Sequence, residues 1–357
     1  MKTGPGAGDA SRRAATFAGD GDAAWAGVPP LPWLAPLLAE TLARQRAHAL
    51  LLQAAAGAGA LPFALALAQG WLCEAPPGPG ALACGRCASC RLVQARLHPD
   101  LYVLLPEAER QALGWPLADD RPDADDGKRK PSRQIRIGEV RVLTDWVART
   151  SGRGRGKVAL LHPAEALNVQ SANALLKTVE EPPPGTRLVL TAGDPARLLP
   201  TLASRCQRVA LPRPARADAL DWLERRGIDD AGMLLDAAAG LPLDAEALAA
   251  AGLTGAAWAA LPPAVARGDR AVLAGWSTAR AVDALLKLCH DALARMLGAP
   301  PVYFPAASVP AGKSVDALLA WATELRRVAR HADHPWNEAL LLDALVGQGQ
   351  GALKLGP

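Results

Sequence analysis

The sequence predicts an α/β unit followed by all-α units: a parallel five-stranded sheet with helices on both faces, then two helical domains. Three features predict it. Short apolar runs alternate with helical patterns from residue 48 to 211, as in a parallel sheet covered on both sides. The first run, "HALLLQ", leads through Gly57 and Gly59 into a long apolar segment, as a strand leads through a tight turn into a buried helix. From about residue 212 the strand signals stop and only helical periodicity remains.

The strand candidates are His48–Gln53, Leu101–Leu105, Lys157–Leu161, Arg187–Thr191 and Gln207–Leu211. The clearest helix runs from Asn168 to Glu181. Val169, Ala172, Leu175, Leu176 and Val179 share one face, Asn168 is placed to cap it, and Pro182, Pro183 and Pro184 end it. Further helices are expected at Ala215–Arg226, at Asp230–Ala239 and in "SVDALLAWATELRRVARHA", where Val315, Leu318, Leu319, Ala322 and Leu325 align.

At 357 residues the chain suits two or three domains, and half of its residues are apolar. A net charge of +4 is too mild to imply a nucleic-acid partner by itself. Residues 1–30, rich in Gly, Ala and Asp, read as a disordered extension without the apolar stretch of a signal peptide, so a cytoplasmic protein is expected. Residues 49–73 carry no charge, which is long enough for a membrane span. Gly57, Gly59 and Pro62 interrupt that run and favour a buried strand–loop–helix unit. The polar insertion 106–134, with Asp119, Asp120, Asp123, Asp125 and Asp126 before Lys128, Arg129 and Lys130, reads as a solvated loop. The basic stretch from Arg149 to Lys157 reads as a flexible turn before a strand, with nucleic-acid contact as its alternative.

Cys73, Cys84, Cys87 and Cys90 cluster in a way that suits one tetrahedral Zn²⁺. Four thiolates leave no open position for a catalytic water, so such an ion is structural. An iron–sulfur cluster is the competing reading, but its usual fourth Cys and Pro are missing from "RLVQARLHPD". Cys206 and Cys289 stand alone.

The turn after the first strand has the glycines of a phosphate-binding loop but not its chemistry. A working loop places Lys and then Ser or Thr where this chain has Ala60 and Leu61. At the end of the third strand, where acids would hold Mg²⁺, stand His162 and Pro163, with Glu165 two residues late. Ala60 lacks a charge, Leu61 lacks an oxygen, and no bound ATP is expected.

"SANALLKTVEEPP", then "RLVLTAGDPARLLPTLASRCQRVAL", resembles the bacterial clamp-loader family, AAA+ proteins that open and load the sliding clamp of the replicative polymerase. The four-cysteine insertion, "HPDLYVL" and "LPWLAPL" are similar too. The resemblance is weak in the C-terminal part, where "WNEALLLDAL" carries it. It implies an AAA+ domain of P-loop type over 31–211 with a zinc module at 73–90, a small helical lid over 212–252 and a C-terminal helical collar over 253–357. It further implies a non-hydrolysing member of a hetero-pentameric ring with motor subunits and a delta subunit, acting on the sliding clamp and primer–template DNA. Such a member is a non-catalytic part of a nucleotidyltransferase holoenzyme. The family's SRC motif falls on Ser204, Arg205 and Cys206, which makes Arg205 the expected arginine finger acting in trans on a neighbour's ATP. An ATP-hydrolysing motor subunit and a zinc-containing DNA-binding protein are the alternatives.

Overall fold

The computed structural model describes residues 31–55, 57–78, 80–116, 131–330 and 337–354. The expected extension 1–30, the charge run Asp119 to Lys130 and Trp336 of the "WNEALLLDAL" ending lie outside the described residues. The chain divides into two compact units, Met1–Pro214 and Ala215–Pro357.

The first unit holds five strands: β1 (Ala49–Gln53), β2 (Leu101–Leu104), β3 (Lys157–Leu161), β4 (Thr186–Ala192) and β5 (Gln207–Ala210). They form one sheet in the order β2-β3-β4-β1-β5, with every pair parallel. Its helices are α1 (Ala35–Arg44), α2 (Ala60–Leu72), α3 (Ala88–Gln94), α4 (Glu107–Ala112), α5 (Ile137–Ala148), α6 (Val169–Glu180) and α7 (Pro200–Ala203). Alternation along the strands gives each face its own core. Leu51, Leu104, Leu161, Leu188 and Leu190 pack with Val140 and Leu143 of α5 and with Leu175 and Val179 of α6. The intervening Leu50, Leu52, Val158, Leu160 and Val189 are buried as well, and α2 packs across β1, β3 and β4. Burial on both faces is why β1 and β3 read as nearly continuous apolar runs, whereas the edge strand β5 is mostly exposed.

Helix α2 is buried on every side, which explains its uniformly apolar sequence. Among the described residues no single helix is long and apolar enough to cross a membrane, although the bent pair Pro242–Ala250 and Gly255–Ala266 meets that test by length and composition. In α6, Asn168 Oδ1 accepts the Ser171 N–H at 2.8 Å, the expected cap. Val169, expected on its inner face, is instead 61% exposed. It occupies the first turn, ahead of the point where α6 meets the sheet. The insertion 106–134 is not loop throughout: α4 forms at its start, and Ala108 N–H to Ser132 O (2.9 Å) and Ser132 N–H to Glu107 Oε2 (2.9 Å) close its two ends together.

The second unit is helical: α8 (Arg216–Arg225), α9 (Ala231–Ala237), α10 (Pro242–Ala250), α11 (Gly255–Ala266), α12 (Thr278–Met296), α13 (Val315–Arg330) and α14 (Glu338–Ala352), with single-turn pieces between. In α13 the buried face is Leu318, Trp321, Ala322, Leu325 and Val328. Val315 and Leu319 were expected there but are exposed, because Trp321, which donates to Leu345 O at 3.0 Å, rotates the seam toward α14. Asp291, fully buried, accepts the N–H groups of Val302, Tyr303 and Phe304 at 2.8–2.9 Å and so pins that loop to α12.

At the amino-terminal edge of the sheet the loops before β3 and β4 touch backbone to backbone. Gly156 has φ +89°, and a Cβ placed there would sit 2.3 Å from Gly185 O. Gly156→Ala should therefore destabilise the protein by roughly 2–4 kcal/mol. Gly154→Ala, at φ +73° in open space, should cost only about 1 kcal/mol. Urea unfolding of the two variants checks this difference.

Candidate functional site

The nucleotide frame lies at the carboxyl end of β1. The chain leaves the sheet through Ala54, whose N–H bonds Ala192 O at 3.0 Å. Gly57 (φ +76°) and Gly59 (φ +95°) turn it into α2 in conformations that suit glycine. Ala60 and Leu61 are the first two residues of that helix. Leu61 is 4% exposed, so the position that would hold a hydroxyl in a working loop points into core instead. A Cβ on Gly59 would meet Leu31 Cδ1 at 2.1 Å and Leu34 Cδ1 at 3.4 Å. Two leucines from the start of the described chain thus pack directly on the loop.

The second element of the frame follows β3. His162 N–H bonds Leu104 O, and His162 Nδ1 lies 2.6 Å from Thr191 Oγ1 on β4. Burial pushes the imidazole down to about 4, so it is neutral near pH 7. Pro163 leads into a single turn, Ala164–Ala166. Glu165, in that turn, uses Oε1 to accept the N–H groups of Gly193 (2.6 Å) and Asp194 (2.8 Å). This carboxylate thereby fixes the loop that follows β4. The acid positions therefore hold a neutral ring and a Pro, and the nearby Glu165 has a structural task.

The thiol cluster forms where α2 ends. Cys73 is the C-cap of α2, and Cys87 is the N-cap of α3. All four Sγ atoms lie within 4.8 Å of one another. Cys73 and Cys87 are 4.0 Å apart at sulfur, Cys84 and Cys90 3.9 Å. These spacings are too long for disulfides and match the edge of about 3.8 Å in a tetrahedron with metal–sulfur bonds of about 2.3 Å. Backbone N–H groups of Cys84, Cys87 and Cys90 point at the sulfurs of Cys73, Cys84 and Cys87 at 3.3–3.4 Å. Burial opposes the charged form of every thiol. At Cys87 the N–H groups of Cys90 and Glu74 outweigh it and hold the thiol down to about 6, whereas burial pushes Cys90 up.

The cluster is anchored by a network the sequence did not announce. Ser89 Oγ donates to Leu72 O (2.7 Å) and meets His98 Nε2 (2.5 Å), while His98 Nδ1 accepts the Asp100 N–H (3.0 Å). Asp100, 1% exposed, accepts from Ser151 Oγ and from the N–H groups of Gly152 and Arg153. The basic turn Arg149–Lys157 is therefore pinned rather than loose. The signal was "HPD", read only as part of a resemblance.

Arg205 sits in the turn between α7 and β5. Its Nε donates to Glu180 Oε2 and its Nη1 to Thr201 O, both at 3.0 Å, and its side chain is 36% exposed. Ser204 Oγ caps back onto Thr201 O at 3.2 Å, and Cys206, buried, packs in the sheet core. Arg205 and the glycine loop lie at opposite ends of neighbouring strands, since β5 begins where β1 begins and the loop follows β1. One chain cannot bring the two together at a shared phosphate.

A five-stranded parallel sheet with this glycine turn and helices on both faces defines a P-loop-type α/β protein. The profile of the family described as "DNA polymerase III, delta subunit" matches residues 34–215, just over half of the 357-residue chain, and the chain belongs to that family. It is 40% identical over 222 residues to a DNA polymerase III subunit delta' of Pseudomonas aeruginosa, covering 61% of this chain and 60% of the relative. It is 37% identical over 198 residues to a subunit of the same name in Escherichia coli, covering 54% and 52%. A DNA polymerase III subunit tau of Escherichia coli is 33% identical over 159 residues, 44% of this chain and 20% of that one. The chain thus spans between about half and three-fifths of the delta' relatives it matches.

The neutral His162 gives a testable pH dependence. Its folded value, about 4, lies below the ordinary 6.5. The unfolded state thus binds the proton first, and stability falls as pH drops from 6.5 toward 4, by roughly 3 kcal/mol at most. His162→Gln should flatten that part of the stability–pH curve relative to the native chain, as read by thermal unfolding at fixed ionic strength.

Proposed function

We propose that the chain is the non-hydrolysing, delta'-type subunit of a DNA polymerase III clamp loader, and that it supplies Arg205 to the ATP site of a neighbouring motor subunit. The observation that carries this reading is the nucleotide frame without its groups. The strand, glycine turn and helix are in place, but Ala60, Leu61, His162 and Pro163 stand where charge and Mg²⁺ ligands would be, and leucines pack on the loop. Each lost charge-assisted contact removes about 1.5–3 kcal/mol of nucleotide affinity. A chain that keeps such a frame without using it can still present residues to its neighbours, and the family to which it belongs supports a ring of subunits.

The geometry of Arg205 suits that task. A guanidinium has five N–H donors, and among the described residues two are engaged, one by Glu180 and one by Thr201 O. The Nη2 edge is left for a phosphate. The ion pair with Glu180 is exposed on both sides, so releasing it costs at most about 1 kcal/mol. In the neighbour's site the planar fork would meet charge developing on the γ-phosphoryl oxygens as water attacks. Arg205→Ala should leave folding intact and slow the clamp- and DNA-stimulated ATPase of a reconstituted complex by tenfold or more at the affected site. Arg205→Lys should rescue little, because a point charge lacks the fork. Equal rates for native and Ala complexes of equal assembly would overturn the finger.

The thiol cluster is proposed to hold one structural Zn²⁺ through Cys73, Cys84, Cys87 and Cys90. The ion would join the end of α2 to the start of α3 and take no part in catalysis. The freshly purified chain should contain about one equivalent of zinc. Cys84→Ser should lose it and lower the melting temperature, while the specific activity of complexes that do assemble stays unchanged. Iron, or no metal, in the native chain would remove this proposal.

A further inference from the structure

The amino-terminal edge of the sheet gathers cations that neither the thiol cluster nor Arg205 accounts for. Strand register fixes their relation. Val158 pairs with Arg187, and Ala49 pairs with Leu188. Arg187 on β4 is therefore flanked by the chain entering β3, which carries Arg155, and by the chain entering β1, which carries Arg46. Neighbouring strands lie about 4.8 Å apart, so the three backbones stand within roughly 10 Å of one another. Lys157 N–H to Gly185 O (3.0 Å) and Leu188 N–H to His48 O (2.7 Å) lock them together. Asp100 pins the turn that carries Arg155, through residues 151–153.

None of the three guanidiniums has a carboxylate partner among the described residues. Arg46 reaches only its neighbour's carbonyl, Gln45 O, at 3.2 Å. Arg155 is exposed. Arg187 is half-buried, its guanidinium 4.6 Å from the ring centre of Trp71. Asp100 is committed to the turn and Glu74 to Arg153 at 2.5 Å. Burial lowers the basicity of Arg187, and the neighbouring charges of Arg46 and Arg155 lower it further. A half-buried cation that faces two other cations is an unbalanced arrangement, and an anion would correct it.

We propose that Arg46, Arg155 and Arg187 form a phosphate-binding site at this edge of the sheet, and that it takes the phosphodiester backbone of a nucleic acid. Planar forks match phosphate oxygens two at a time. Three of them on a rigid frame match successive phosphates better than a single carboxylate. The site is independent of Arg205 and of the blank nucleotide frame.

The test is fluorescence anisotropy of a labelled single-stranded oligonucleotide of about 20 nucleotides with the full chain at low salt. The variant R46A/R155A/R187A should bind at least about tenfold more weakly, and its plot of log K against log salt should be shallower by about 2. R46A/R155A, which removes two outlying side chains and leaves the Trp71 stack intact, should lose about half of that effect on a logarithmic scale. It decides the matter if the triple variant fails to fold. The control R267A/R326A/R330A removes the same charge from exposed sites in the second unit and should stay within about twofold of native. Equal weakening by the control and the triple variant would overturn the site. Inorganic phosphate or pyrophosphate displacing the oligonucleotide at concentrations equal to its own would overturn the phosphodiester assignment in favour of a small free anion.

Discussion

Everything functional in the first unit follows from one constraint, the burial of a parallel sheet on both faces. Strands β1, β3 and β4 are covered by α2 on one side and by α5 and α6 on the other. Backbone hydrogen bonds run within the sheet, and the middles of β1, β2, β3 and β4 are mostly apolar and buried. Polar chemistry is then confined to the two ends of the strands. The carboxyl ends carry the glycine turn, His162 and Glu165. The amino ends carry Arg46, Arg155, Arg187 and Arg205. A parallel sheet keeps these ends a full strand length apart, so a residue at the amino end does not reach the glycine turn of its own chain.

The turn after β1 is packed as core. Ala60 and Leu61 begin α2, and Leu61 is buried there, while Leu31 and Leu34 close on Gly59 from outside. A lysine at position 60 would bring a charge to the rim of this apolar packing. It would still lack a partner after β3, where His162 is kept neutral by burial and bonded to Thr191. The losses at the two elements are therefore coupled through packing as well as through chemistry. Glycine remains at positions 57 and 59 because the turn still needs left-handed backbone, whether or not a phosphate is bound.

Much of this was legible in the sequence, for identifiable reasons. The strands are short runs with mostly apolar centres, and their ends lie within a residue of those expected. Asn168 declared its helix by capping chemistry, and the cysteines declared a cluster by spacing. Other features were hidden because they depend on distant partners. Val315 and Leu319 share a helical face with Leu318, but only the position of α14 decides that Trp321 goes inward instead. Asp100 entered only through "HPDLYVL", and nothing local reveals that it grips a turn more than 50 residues on. Arg46, Arg155 and Arg187 are scattered along the chain and become neighbours only through strand order β3-β4-β1.

The central claim is that this chain keeps the nucleotide-binding architecture and does not bind the nucleotide. Calorimetric titration of the purified full chain with Mg–ATP tests it most directly. The account predicts no saturable binding below about the millimolar range, since the missing charge-assisted contacts remove several kcal/mol. Saturable Mg²⁺-dependent binding in the micromolar range, to the chain alone, would contradict it.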